Sequence, residues 1–105
     1  MYIRIVTFGI TVPEAAYAAH AEVVAPAFTT WPGLLGKWWL ADAGSGTYGG
    51  VYLFTDRAAA DRSRLTDTFE AMTRNPTLTG LAVREFEVLT APTAVTAPDL
   101  AAAAR

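Results

Sequence analysis

The chain has no cysteine and a single histidine. Disulfides and thiolate metal sites are therefore excluded, and a zinc or copper site made only of protein ligands would have to be mostly carboxylate. Charge is also scarce: 17% of residues are charged, and the eight Lys and Arg lie scattered among ten acids, for a net charge of -2. Nucleic acid needs a clustered basic face, so it is not an expected partner. Apolar runs such as Val51 to Phe54 fall far short of the roughly 20 residues that cross a bilayer, and no basic leader precedes a long apolar stretch. A cytoplasmic protein with no membrane association is the expectation.

Apolar residues, by contrast, are abundant, at 52% of 105 positions. A chain of this length suits one domain and cannot cover that much apolar surface alone, so a second copy of the chain, in a homodimer, is the economical place for the excess.

Tyr2 to Phe8 reads as a strand closed by Gly9. Pro13 opens a helix that should run to about Ala25, where Pro26 interrupts or kinks it. Ala16, Tyr17, His20, Val23 and Val24 fall on one arc of that helix, which places His20 in the middle of the inward face. Trp31-Pro32-Gly33 ends the helical region. Leu34 to Ala41 is a second strand, in which Trp38 and Trp39 must point to opposite faces. Asp42 to Gly46 is turn material, and Thr47 to Phe54 completes a hairpin that is apolar on both faces.

Asp56 suits the N-cap of a helix over Arg57–Arg74 with Ala58, Leu65, Phe69 and Met72 as its buried stripe, ended by Asn75-Pro76. Leu81 to Leu89 is the last strand. The order strand, helix, strand, strand, helix, strand is the split arrangement of ferredoxin-like α+β domains, a four-stranded antiparallel sheet with two helices on one face. That domain covers residues 1–90. Residues 91–105 read as a loosely held, flexible tail whose end is a helical turn or disordered.

No catalytic triad, nucleotide loop or metal cluster is visible, and Gly44-Ser45-Gly46 and Gly49-Gly50 do not open a helix as a phosphate cradle must. His20 is either a satisfied core histidine or a pocket acid or base, and Arg62 either lies beside the core as a solvated cation or faces a pocket. Trp31, Trp38 and Trp39 are core or interface residues first and ligand-stacking residues second.

The residues Pro32-Gly33-Leu34-Leu35, Lys37 and Trp39, followed by Gly49-Gly50-Val51-Tyr52-Leu53-Phe54-Thr55-Asp56, resemble the signature of the YdhR-like monooxygenase family. The chain departs from the family's pattern at Ser63 and over Leu65 to Phe69, so family residues there have no counterpart. The resemblance implies a dimeric α/β barrel with a pocket in each subunit between helices and sheet. It also implies a monooxygenase that uses no metal, flavin or haem and acts on a small aromatic such as a phenol, an anthrone or a polyketide-like molecule.

In that reading His20 and Arg62 are the catalytic candidates, His20 for proton transfer and Arg62 or Lys37 to stabilise a phenolate. Trp31, Trp38, Tyr52 and Phe28, with Lys37, would bind the substrate. Non-oxidative cyclisation or isomerisation, a non-catalytic binding domain and haem processing with His20 as iron ligand are the competing readings.

Overall fold

The computed structural model describes residues 1–104. Nine elements follow in chain order: β1 (Tyr2–Ile10), α1 (Glu14–Phe28), β2 (Leu34–Asp42), β3 (Thr47–Phe54), α2 (Arg57–Ser63), α3 (Asp67–Arg74), β4 (Leu78–Glu87), α4 (Thr90–Thr96) and α5 (Pro98–Ala103). The strands form one sheet in the order β2-β3-β1-β4, and every neighbouring pair is antiparallel. This is the expected ferredoxin-like α+β sheet.

Strand alternation assigns the faces. In β1, Tyr2, Arg4, Val6 and Phe8 are buried, and the register lays Tyr52 beside Arg4 and Tyr48 beside Phe8. Tyr17 of α1 packs edge-on to Phe8, Phe28 meets Tyr52, and the Arg4 guanidinium reaches the carbonyl of Ala60 in α2 and stacks over Phe69 of α3. Helices α1, α2 and α3 thus cover one face. The other face carries Ile3, Ile5, Val51 and Leu53, with Trp38 at 48% exposure and Phe86 at 41%.

Four expectations are corrected by local chemistry. Helix α1 passes through Pro26 to Phe28, which delivers Phe28 to the core. The helix then stops where the Thr29 and Thr30 hydroxyls donate to the carbonyls of Pro26 and Ala27. The single helix expected over Arg57–Arg74 is two. Thr66 Oγ1 donates to the Ser63 carbonyl at 2.7 Å and accepts from the Phe69 amide at 3.2 Å, making Thr66 the N-cap of α3. A hydroxyl that bonds locally on both sides competes with the helix ladder.

Leu65 falls in that break and is 87% exposed, while Ala59 and Ala60 replace Ala58 as the buried alanines of α2. The last strand starts at Leu78, three residues earlier than expected, because Gly80 at φ +61° takes the turn-like conformation without leaving the strand. Beyond residue 90, α4 and α5 form with Val95 and Leu100 exposed.

The buried Arg4 is compensated. Its Nε donates to Glu85 Oε2 at 2.7 Å, Nη1 to Ser63 Oγ at 2.8 Å and Nη2 to the Ala60 carbonyl at 2.8 Å. Glu85 also accepts from Arg64 at 2.9 Å and Tyr2 at 3.2 Å. Burial would raise the Glu85 pKa, but the hydrogen bonds from Arg4 and Arg64 outweigh it and hold the carboxyl below its ordinary value.

Candidate functional site

A cleft of about 780 Å³ opens between α1, α3 and the sheet. Its floor comes from Phe8, Lys37, Trp39, Gly49 and Tyr52, one wall from Tyr17 to Phe28 of α1, and the other from Asp67, Thr68, Ala71 and Met72 of α3. Most of that lining is carbon, the usual character of a small-molecule site.

Lys37 is the charged group of the floor. Period-two alternation sends it and Trp39 to the helix side, and the register sets Lys37 opposite Tyr52. Its side chain lies across Gly50, where an added Cβ would stand 2.9 Å from Lys37 Cε. The Lys37 Nζ then sits 3.5 Å from the Phe28 ring centroid, 3.4 Å from Trp39 and 4.6 Å from Tyr52. The ion pairs among the described residues are all made by arginines, so none neutralises Lys37. Burial lowers its pKa to about 7 from 10.5, while the three ring faces favour the cation.

Tyr52 is buried and its hydroxyl donates to the Met72 sulfur at 3.8 Å. Burial raises its pKa, and that of Tyr17 on the wall, so both remain neutral phenols. Trp31 lies behind the floor at 4% exposure, stacked on Tyr52 at 6.0 Å and 12°. It supports the Tyr52 ring and does not line the cleft.

The structure brings Lys37, Tyr52 and Phe28 together and places His20 on the same cleft. His20 is exposed, however, and lies at the open margin, not on the inward face: the packed positions of α1 are Tyr17, Ala21, Val24 and Phe28, rotated from the arc expected. Val23, placed on that arc, is 77% exposed. Arg62 is exposed and outside the cleft, since α2 turns its buried side, Ala59, Ala60 and Ser63, to the sheet. Trp38 projects from the opposite sheet face, and Trp39 takes the lining position. Parity carried that signal: a residue sharing the face of Lys37 must be two positions away, as Trp39 is. Arg4 shows the same signal, a cation in phase with Tyr2, Val6 and Phe8.

Among the described residues no group of three or more His, Asp or Glu side chains could hold a metal ion, and no helix is long and apolar enough to cross a membrane. No curated protein matches the sequence. Solved structures share the fold. SnoaB, a cofactor-independent oxygenase from Streptomyces nogalater, superposes with a TM-score of 0.69 at 18% identity, over 84% of this chain and 92% of its own. The NE2512 protein of Nitrosomonas europaea, of unknown function, gives 0.69 at 21% identity, over 84% and 88%. A variant of MhuD with two manganese protoporphyrin IX molecules per active site gives 0.66 at 22% identity, over 85% and 95%. The family model described as putative mono-oxygenase ydhR matches residues 3–99, nearly the whole chain, and the protein belongs to that family.

Proposed function

We propose that the protein is a cofactor-independent monooxygenase that oxidises a small, flat aromatic, a phenol or an anthrone, in the cleft over Lys37. The observation that carries this reading is the Lys37 amine on an apolar floor, enclosed by Phe28, Trp39 and Tyr52. Membership of a monooxygenase family and the likeness of fold to SnoaB support it.

An electron-rich aromatic supplies its own electrons once it has lost a proton. With its pKa near 7, Lys37 is available as a neutral base at neutral pH. It takes the acidic proton of an anthrone, and the ammonium formed pairs with the enolate in a cleft that weakens water's competition. The anion transfers one electron to oxygen, the two radicals combine at carbon, the Lys37 ammonium returns its proton to the peroxide anion, and the hydroperoxide loses water to leave a ketone. One oxygen atom enters the product, the other leaves as water, and the substrate supplies all four electrons that reduce the dioxygen. Of the two cations the sequence offers for stabilising the anion, Arg62 or Lys37, this reading takes Lys37.

The active form in this reading is a homodimer that covers the sheet face around Trp38 and Phe86, since both lie beside apolar positions of β1 and β3.

An oxygen electrode tests the activity: metal-free protein with an anthrone should consume oxygen, and Lys37→Met should lower the rate by roughly 10²-fold or more, the usual loss with a general base. Equal uptake by the two proteins would remove Lys37 from the chemistry.

A further inference from the structure

Lys37 is the only lysine of the chain, the other basic residues of the eight Lys and Arg being arginines. Arginine serves the buried ion pair of Arg4 and the surface pairs of Arg57, Arg64 and Arg74. Lysine stands where no carboxylate meets it, its amine at the end of a chain laid over Gly50 and open to the cleft. An arginine is a cation at any accessible pH, whereas an amine without a counter-ion can give up its proton and become a nucleophile.

We infer that Lys37 is also a nucleophilic amine that captures aromatic aldehydes and ketones in the cleft as Schiff bases. The nitrogen lone pair adds to the carbonyl carbon, and the carbonyl π electrons move to oxygen, which takes a proton. The carbinolamine then expels that oxygen as water, and a C=N bond replaces the C=O bond. No electron is gained or lost, and one water leaves for each imine formed.

Phe28 and Trp39 flank the Lys37 nitrogen with ring faces, and Tyr52 backs it. A flat carbonyl compound stacked against them brings its carbon to the amine, and the iminium keeps the cation–π contacts. The titratable groups on the elements around the amine are Tyr17 and His20 of α1, Tyr52 of β3 and Asp67 of α3. Both tyrosines are held neutral by burial, which leaves the desolvated amine with a pKa of about 7. The lowered pKa raises the free-base share at pH 7 well above that of an ordinary lysine, which is below roughly 10⁻³.

This activity shares the cleft with the oxygenase reading but uses no oxygen, so either can fail alone. The test is reductive trapping under nitrogen: the protein is incubated with naphthaldehyde and cyanoborohydride, and the adduct is located by intact mass and peptide mapping. The expected result is one adduct, at Lys37, with a rate that saturates in naphthaldehyde and exceeds that of Nα-acetyl-lysine by at least about 10²-fold at pH 7. That rate should climb through pH 7 and level off, and excess naphthalene should suppress it. Lys37→Arg should abolish the adduct while circular dichroism remains native, and the wild-type map decides the matter if that variant does not fold. Labelling confined to the Met1 amine would overturn the inference, as would labelling of Lys37 at the rate of Nα-acetyl-lysine without saturation.

Discussion

Replacing Lys37 by methionine should stabilise the folded protein below neutral pH, although it removes three cation–π contacts. Below pH 7 the amine is protonated in the folded and unfolded states, and the folded state bears the cost of a desolvated ammonium with no carboxylate partner. The difference between 10.5 and about 7 corresponds to about 5 kcal/mol if converted whole. Part of this is offset, since each ring face within reach of Nζ returns about 0.5–1 kcal/mol to the cation. The net cost is about 3 kcal/mol.

As pH rises through 7 the folded chain releases the proton and the unfolded chain keeps it until near 10.5, so wild-type stability climbs across that window. Methionine has a similar volume and no charge. Urea unfolding followed by tryptophan fluorescence should therefore show the variant more stable by about 3 kcal/mol at pH 6, with the gap closing toward pH 10. A variant less stable than wild type by the same margin at both pH values would refute the reasoning and make the cation a net contributor to the fold.

Arg4→Met removes the donors that reach Ser63 Oγ, the Ala60 carbonyl and one side of Glu85, and should cost roughly 3–5 kcal/mol in the same assay. Because Glu85 is held below its ordinary 4.5, its share of the wild-type advantage is present above that pH and disappears as pH falls through the lower folded value. Gly49→Ala should give insoluble or unfolded protein by circular dichroism: at φ +152° the added Cβ would lie 1.8 Å from the Val6 carbonyl oxygen, forcing β1 and β3 apart. Sedimentation at micromolar concentration should find a wild-type dimer and a monomer for Trp38→Glu, whereas a wild-type monomer would remove the second copy from the account.

The strand and helix order was legible because the strands announce themselves by composition and the turns by Gly, Pro and Asp. The break at Ser63–Thr66 was not, since a threonine acts as an N-cap only if the chain before it turns away, and that turn depends on Ser63 meeting Arg4 from a distant strand. The rotation of α1 was likewise hidden. Its face is rich in alanine, which gives periodicity little contrast, and the large residues that fix it are Tyr17, meeting Phe8 and Tyr48, and Phe28, meeting Trp31 and Trp39.

The site was half legible. Lys37, Tyr52 and Phe28, which the sequence offers as substrate-binding residues, line one cleft, while the arginine that matters to the fold is Arg4, buried by a network that no single segment contains.

The claim that the cleft directs oxygen chemistry without a bound cofactor meets its most direct test in isotope labelling. Metal-free protein is given an anthrone under labelled dioxygen in unlabelled water, and the quinone product is analysed by mass spectrometry at early times. One labelled oxygen atom in the product, formed by wild type and much more slowly by Lys37→Met, is the predicted result. Product that carries oxygen from water, or forms no faster than in buffer, would contradict it.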